Sequence, residues 1–451
     1  MSFGSSVRTI KGMQRLIMSN LLEWKQSGSP QPLVLTGARQ VGKSHLIERE
    51  LAGHFENLLT LNFEKRPELI TLFAGELSPA VLLPRIEALA RQTITSGKTL
   101  LFLDEIQTCP QALLSLRYFS EEMPSLHVVA AGSLLDFALA KVPFPVGRVT
   151  FRHLQPVSFE EFLLNSNNNK LLEQILNHDG RQTFHEALHK QALDLLVQYL
   201  CLGGMPKVLN TYLQTGSYTQ SAELQNDLLE AYRNDFPKYV KRDRELEHVA
   251  LVFSTAPRLV GRQFKWAQIH REIKTKYLRK ALDLLTQASV ISKVRKAMGL
   301  PLDHLPEEER FKLLFLDVGL MQRACRLDMA EWITNPVSLI NAGCVAEQFA
   351  GQEIMAASSF RKENCYYWER DKKGSTAEVD YVLAVGNQML PIEVKSGSVG
   401  TLKSMQLFLS SHPEVKFGIK SSLDNFCHAG KIRSIPLYAL GAWLRHGKIR
   451  A

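Results

Sequence analysis

The sequence predicts an α/β protein that begins with a parallel sheet, continues through a helical middle region and ends in a second α/β region. Between residue 32 and about residue 160, short apolar runs alternate with longer amphipathic runs, a pattern typical of parallel strands joined by crossover helices. The apolar spacing then becomes mostly helical up to about residue 248. The runs predicted to be strands are residues 32–36, 58–63, 99–104 and 126–131, and near the C-terminus 365–369, 378–385 and 389–395.

Composition favours an ordinary globular protein, with 45% apolar and 22% charged residues. No apolar run reaches the roughly 18 to 20 residues that span a bilayer, and the first residues lack the apolar stretch of a signal peptide. Six cysteines lie far apart without a Cys-x-x-Cys pair, which favours reduced thiols over disulfides or a zinc site. We therefore expect a cytoplasmic protein with no membrane partner.

The positive charge is concentrated in one segment. The net charge is +9, and residues 258–296 hold eleven Lys and Arg side chains against two acids, Glu272 and Asp283. The rest of the chain is therefore close to neutral. A local basic excess is compatible with nucleic acid or another anionic partner.

A glycine-rich loop follows the first predicted strand and precedes a helical pattern. Its sequence fits G-x-x-x-x-G-K-[ST], in which glycines let backbone N–H groups surround a phosphate. Lys43 is predicted to reach the β- and γ-phosphates of ATP, and the Ser44 hydroxyl to bind Mg²⁺. The predicted nucleotide-binding residues are Gly37, Ala38, Arg39, Gln40, Val41, Gly42, Lys43 and Ser44.

A second apolar strand ends in two acids, Asp104 and Glu105. This is the Walker B pattern, in which Asp104 holds Mg²⁺ and Glu105 acts as the general base for the attacking water. The next strand ends near Ser133, whose side chain is predicted to contact the γ-phosphate or that water. The alternative is a turn and a strand with solvated acids at its end.

These runs resemble those of prokaryotic AAA-type ATPases in which the ATPase domain is fused to a C-terminal domain of unknown function. Ser44 stands where that family usually has Thr, and it keeps the hydroxyl. The resemblance covers nearly the whole chain and implies ATP hydrolysis with Mg²⁺. The resembling runs are residues 35–44, 103–107, 155–163, 203–207 and 312–320.

Arg148 follows the predicted sheet at a place where related ATPases often have an arginine. Its guanidinium is a candidate for stabilising charge on the γ-phosphate. A surface arginine or a carboxylate partner is the alternative, and Arg152 is a competing candidate.

The basic segment has the pattern of a winged helix-turn-helix. Its central helix is predicted to bury Ala281, Leu282 and Leu285 and to expose Arg279 and Lys280. Such a face suits DNA phosphates. The alternatives are a solvated basic face on a structural domain and a surface for an acidic protein.

Near the C-terminus, Asp380 lies on one predicted strand and Glu393 and Lys395 on the next, with twelve residues between Asp380 and Glu393. Residues two apart on a strand point to the same face. Asp380 and Glu393 are therefore predicted to bind Mg²⁺, with Lys395 acting on water or phosphate. Glu347, on a preceding helix, would add a third acid.

This spacing resembles the PD-(D/E)XK core of restriction-endonuclease-like folds, with Val379 in place of the usual proline. The resemblance implies that Glu347, Asp380, Glu393 and Lys395 form the site. The alternative is a half-exposed strand with alternating charges, or a domain that keeps these residues for binding alone.

Together these features predict an ATPase coupled to a nuclease-like domain that acts on or binds DNA. The alternatives are an ATP-dependent regulatory or binding protein whose C-terminal domain is not catalytic, and a C-terminal domain that is structural or oligomerising. The predicted segments are an ATPase core (1–155), a helical lid (156–248), a winged-helix-like basic domain (249–330) and a PD-(D/E)XK-like domain (331–451).

Overall fold

The structure is a computed structural model in which the chain groups into two compact units. The first comprises Met1–Gly37 and Gly42–Leu154, and the second comprises Ala38–Val41 and Gln155–Ala451. The residues described are 12–133, 147–238, 240, 242–297, 299, 302, 310–327, 343–358, 365–372, 374–386, 388–396 and 402–449.

The first unit contains a parallel sheet of five strands in the described residues, ordered β2-β3-β4-β1-β5. The four strands predicted in this region are all present. Its strands are β1 (Leu33–Thr36), β2 (Asn57–Asn62), β3 (Thr99–Asp104), β4 (His127–Ala131) and β5 (Thr150–His153).

In the first unit, one helix precedes β1, and helices also lie in the connections between β1 and β2, β2 and β3, and β3 and β4. Pro79 and Pro110 each begin a helix, where the missing N–H costs nothing because the first turn has no intrahelical acceptor for it. The helices are α1 (Ile17–Gln26), α2 (Lys43–His45), which continues as a π-turn (Leu46–Glu50) and a 3₁₀ turn (Leu51–His54), α3 (Pro79–Ala90) and α4 (Pro110–Glu122).

Strand register aligns the carboxyl ends of the sheet. Asn62 lies opposite Asp104, and Asp104 lies opposite Ala131. Leu101, Leu103 and the other apolar residues of β3 are fully buried, so this strand is fixed by packing on both faces. The polar residues at the strand ends are therefore held at one edge of a rigid sheet.

The second unit begins with helices. Ser158 caps the first of them, accepting the backbone N–H of Glu161 while the Glu161 carboxylate accepts the N–H of Ser158. The helices are α5 (Phe159–Asn165), α6 (Asn169–Asn177), α7 (Glu186–Leu202), α8 (Pro206–Thr215), α9 (Tyr218–Asp235), α10 (Asp243–Thr255), α11 (Trp266–Ile269), α12 (Thr275–Gln287), α13 (Val318–Ala324), α14 (Gly343–Ala357), α15 (Lys403–Ser411) and α16 (Leu437–Arg445).

A mixed sheet follows, with eight strands in the described residues ordered β12-β13-β11-β10-β9-β8-β6-β7. The three strands predicted near the C-terminus are present as β8, β9 and β10. The strands are β6 (Ile291–Lys296), β7 (Phe311–Phe315), β8 (Cys365–Glu369), β9 (Glu378–Val385), β10 (Gln388–Val394), β11 (Gly418–Ser422), β12 (Cys427–Ala429) and β13 (Ile432–Pro436).

The β6–β7 hairpin joins this sheet, because β6 pairs in parallel with β8. The segments predicted as a basic domain and a C-terminal domain therefore share one sheet. Within the described ranges, no helix is both long and apolar enough to cross a bilayer.

Candidate functional site

The glycine-rich loop after β1 has the backbone that its sequence requires. Gly37 and Gly42 have φ of +136° and +96°, which glycine adopts without steric cost. A Cβ on Gly37 would lie 2.4 Å from the Leu154 carbonyl oxygen. Glycine is therefore needed at Gly37 for the tight approach to the backbone after β5.

Lys43 begins α2 and folds back over the loop. Its Nζ donates to the Gly37 carbonyl at 2.9 Å, and the residue is only 7% exposed. The ammonium is thus held beside the loop that would surround a phosphate, as the motif predicts.

Ser44, Asp104 and Asn62 meet at the carboxyl edge of the sheet. The Ser44 hydroxyl lies 3.0 Å from both Asp104 carboxylate oxygens, and the Asn62 amide donates to Asp104 Oδ2 at 2.7 Å. Burial raises the pKa of Asp104 above its ordinary value, while the hydrogen bonds from Ser44 and Asn62 act in the opposite direction. Both donors are neutral, so neither of them compensates the carboxylate charge.

This donor set fits Mg²⁺. A hydroxyl and a carboxylate side by side are the oxygen ligands that this ion prefers, together with water and phosphate. Ser44 and Asp104 are thus the residues that would hold it.

Glu105 follows Asp104 with a left-handed φ of +53°. Its Oε2 accepts the Gln107 side-chain amide at 2.6 Å, which fixes the carboxylate beside the strand end. Gly132 allows this arrangement, since a Cβ there would lie 2.1 Å from Gln107 Oε1. Ser133 is buried just beyond β4, at the same edge of the sheet as Asp104.

Arg148 lies at the other edge. It precedes β5, which runs parallel to β1, so it is at the amino ends of the strands while the glycine-rich loop is at the carboxyl ends. Its guanidinium pairs with Glu121 at 3.0 Å, near the end of α4. This placement does not fit a contact to a γ-phosphate on the same chain, and it corrects that hypothesis in favour of a carboxylate partner.

The remaining loop residues, 38–41, group with the second unit. Ala38 and Val41 are buried and Gln40 is exposed with a left-handed φ of +63°. Arg39 forms an ion pair with Asp235, the last residue of α9.

The predicted C-terminal residues also converge, around a lysine that the sequence did not single out. Lys312 of β7 is 2% exposed, and its Nζ lies 2.7 Å from Glu347 and 3.3 Å from Asp380. It also pairs with Glu378. We call Lys312 with these three carboxylates the Lys312 cluster.

Glu393 and Lys395 lie beside this cluster. Lys395 Nζ is 2.7 Å from Glu393 Oε1, and Asp380 Oδ2 accepts the backbone N–H of Val394 at 2.8 Å. Burial, and then the nearby Asp380 charge, raise the pKa of both Glu347 and Glu393 to about 7.

The predicted metal role of these acids is not supported by their arrangement. Among the described residues, no group of three or more His, Cys, Asp or Glu side chains is placed to hold a metal ion. The physical reason is Lys312, whose ammonium supplies the positive charge between Glu347 and Asp380. Cleavage stays a prediction that this geometry does not favour.

In the basic segment, α12 has the predicted faces. Ala281, Leu282 and Leu285 are buried, and Arg279 and Lys280 are exposed. Part of the charge is compensated internally, because Lys280 pairs with Glu245, and Lys293 with Asp283. Lys296 is buried and pairs with Asp371.

Comparisons with known protein families match three separate segments of the chain. Residues 29–163 match the model of an AAA domain. This part of the chain is an AAA-type P-loop domain. Residues 193–331 and 342–440 match models of two domains of unknown function, DUF8612 and DUF4143, whose descriptions assign no activity. Among curated proteins, none matches the chain.

Among solved structures, the chain is similar to a Walker-type ATPase of Pyrococcus abyssi, with 16% identity and a TM-score of 0.45 over 70% of this chain and 99% of that one. It is also similar to the Orc1 protein of Aeropyrum pernix, solved in complex with DNA, with 12% identity and a TM-score of 0.31 over 70% of this chain and 94% of that one. At these TM-scores, neither likeness supports a conclusion about fold or partners.

Sequence reasoning missed four residues of these sites: Asn62, Gln107, Lys312 and Glu378. Asn62 ends a predicted strand, and the strand order β2-β3 would have placed it beside Asp104. Gln107 is two residues from Glu105, within the run 103–107 that resembles AAA-type ATPases. Lys312 had no local signal beyond a charge inside an apolar strand, which is a reason to look for a buried partner.

Proposed function

We propose that the N-terminal unit binds ATP with Mg²⁺ and hydrolyses it. The observation that carries this proposal is the meeting of Ser44 and Asp104 at 3.0 Å, beside a lysine folded over a glycine-rich loop. The match of residues 29–163 to an AAA domain supports it.

Each side chain has a role that follows from its place. Lys43 binds the β- and γ-phosphates once it exchanges the Gly37 carbonyl for phosphate oxygens. Glu105 orients the attacking water and accepts its proton, and Gln107 positions that carboxylate. Mg²⁺, when bound, supplies positive charge to the phosphate oxygens.

Calorimetry with Mg²⁺-ATP tests this proposal. Wild-type protein is expected to bind, Lys43→Ala to lose binding, and Glu105→Gln to bind but turn over at least about 100-fold more slowly. Lys98→Ala is a matched control, because Lys98 is an exposed lysine paired with Glu56 before β3. Equal binding by wild type and Lys43→Ala would sink the proposal.

A second function is favoured by the Lys312 cluster and by α12: nucleic-acid binding without cleavage. The order of α10, a bridge at Gln263, α11, α12 and the β6–β7 hairpin resembles that of a winged helix, which supports this proposal. The exposed cations of α12 suit phosphates, while Lys312 occupies the centre that a metal-dependent nuclease would need.

A gel-shift and nicking assay on plasmid DNA separates binding from cleavage. We expect the protein to shift the DNA in a salt-sensitive way. Lys276→Ala, at an exposed position of α12, should weaken this binding, whereas Lys207→Ala, at an exposed position of α8, should not. We expect no nicking with Mg²⁺ and ATP. Nicking that disappears in Asp380→Ala would instead establish the nuclease.

A further inference from the structure

A cavity of about 950 Å³ opens beside the basic segment, within the second unit. This volume is in the range of small-molecule sites, roughly 300 to 1,000 Å³. Its walls come from the start of α11, the start of β7 and the turn after β8. The lining residues used below are Phe264, Lys265, Trp266, Phe311, Arg370 and Lys372.

One wall is aromatic. Phe264 stacks on Phe311 with ring centroids 4.7 Å apart and an interplanar angle of 18°, and Trp266 meets Phe264 edge-on at 4.8 Å. The Trp266 indole nitrogen is buried and has no hydrogen-bond partner in the described structure. Because a buried unpaired donor costs free energy, this N–H favours a ligand that brings an acceptor.

The rim is positive. Lys265, Arg370 and Lys372 are exposed, and no ion pair is formed by them within the described residues. The acids of the rim are already compensated. Glu369 pairs with Arg310 at 2.7 Å, and Asp371 pairs with Lys296.

A second groove of about 750 Å³ shares Trp266 with this cavity and is lined by Lys276, Arg279 and Lys280 of α12. The Arg279 guanidinium lies over the Trp266 ring, 5.8 Å from its centre. Trp266 therefore stands where the basic face of α12 meets the aromatic cavity.

We propose that this cavity takes an unpaired nucleotide of a nucleic-acid strand bound along α12. Stacking on an aromatic side chain with cations for the backbone is the chemistry that binds single strands. The Trp266 N–H would donate to an oxygen or nitrogen of the base, and Arg370 and Lys372 would contact the phosphates. This inference rests on the nucleic-acid contact proposed above.

The test compares a blunt duplex with the same duplex carrying a single-stranded tail, by fluorescence anisotropy on the full chain. Wild type is expected to prefer the tailed DNA. Trp266→Ala is expected to lose about tenfold in affinity for the tailed DNA and little for the blunt one. Trp266→Phe keeps a ring without the N–H and is expected to lose less.

Because Trp266 packs on Phe264, a second variant avoids the core. The exposed pair Arg370→Ala with Lys372→Ala is expected to lower the preference for the tail, while the exposed pair Lys190→Ala with Lys207→Ala, on α7 and α8, leaves it unchanged.

An unchanged tail preference in both cavity variants overturns the inference, even if Lys276→Ala still weakens binding to both DNAs. Failure of wild type to bind either DNA overturns the proposed nucleic-acid function itself, and the cavity inference with it. Full competition by free deoxyadenosine monophosphate would assign the cavity to mononucleotides and also overturn the strand proposal.

Discussion

A buried carboxylate, Asp104, and a half-buried one, Asp380, have opposite surroundings in this chain. Asp104 in the first unit accepts hydrogen bonds from neutral groups, the Ser44 hydroxyl and the Asn62 amide. Asp380 in the second unit lies 3.3 Å from the ammonium of Lys312. Both acids belong to strands of a sheet, so their secondary structure does not distinguish them.

This difference shows that the groups around a carboxylate determine whether it can bind a metal ion. A buried carboxylate with neutral donors keeps its charge available for a cation. A carboxylate beside a buried lysine already has its counter-ion. This contrast supports the proposal of metal-dependent chemistry for the first unit and of binding without cleavage for the second.

The largest expected effect comes from removing the buried cation. Lys312→Met would leave Glu347, Asp380 and Glu378 without their shared counter-charge, and breaking a buried ion pair typically costs about 3 to 5 kcal/mol. We expect a fall of that order in the free energy of unfolding of the second unit, measured by urea denaturation.

Lys280→Met is the control, since Lys280 is an exposed lysine paired with Glu245. It is expected to change stability little. Equal urea midpoints for Lys312→Met and wild type would contradict the idea that Lys312 holds the cluster together.

These two sites also show what sequence could and could not predict. Lys43 and Ser44 were found because a phosphate-binding loop requires them at fixed local spacing, and Asp104 was found because an apolar strand ends there in two acids. Lys312 was missed because its partners come from α14 and β9, two elements distant from β7 in the chain, and only the fold brings them together. Cross-strand register is not written in local spacing.

Arg148 illustrates the same limit. Its position after the sheet in sequence suggested the nucleotide edge, but β5 runs parallel to β1, which puts the residue before β5 at the far edge. The other four strands of this sheet were predictable, because each lies in a short, mostly apolar run. β5 (Thr150–His153) was not predicted, because Phe151 is its only large apolar residue.

Replacing one carboxylate by an amide in each unit, with Asp104→Asn and Asp380→Asn, should give two different results. Asp104→Asn keeps the shape but removes the charge that would hold Mg²⁺, so ATP turnover is expected to fall about 100-fold. Its stability should change little or rise, because the buried carboxylate that it removes forms no ion pair within the described part of the chain. Steady-state ATPase assays and urea denaturation measure the two effects.

Asp380→Asn is the matched counterpart and is expected to leave the intrinsic ATP turnover unchanged while lowering stability. If Asp380→Asn lowered turnover as much as Asp104→Asn, the assignment of ATP chemistry to the first unit alone would be wrong.

The third prediction concerns pH. Burial raises the pKa of Glu393 from 4.5 to about 7, so the folded state binds more protons than the unfolded state between these values. The stabilising contribution of this group is thus present below pH 4.5 and is lost as pH rises through 7. The shift corresponds to roughly 3 kcal/mol of that decline, which Glu393→Gln should remove.

Urea denaturation at a series of pH values from 4.5 to 8 checks this, with Glu186→Gln at the exposed start of α7 as control. Curves of wild type and Glu393→Gln that run parallel over this interval would show that Glu393 titrates at its ordinary value.

The smallest expected effect tests the neutral donors of Asp104. Asn62→Ala removes the amide that donates to Asp104 Oδ2 at 2.7 Å. The Asp104 carboxylate keeps its charge and its Ser44 contact but loses one hydrogen bond that orients it. We therefore expect ATP turnover at a given Mg²⁺ concentration to fall about tenfold. Raising Mg²⁺ should recover part of the loss, because orientation affects affinity for the ion.

Asn57→Ala, at the exposed amino end of the same strand, is the matched control and should turn over ATP like wild type. A loss in Asn62→Ala that no Mg²⁺ concentration relieves would place Asn62 on the nucleotide instead of on Asp104.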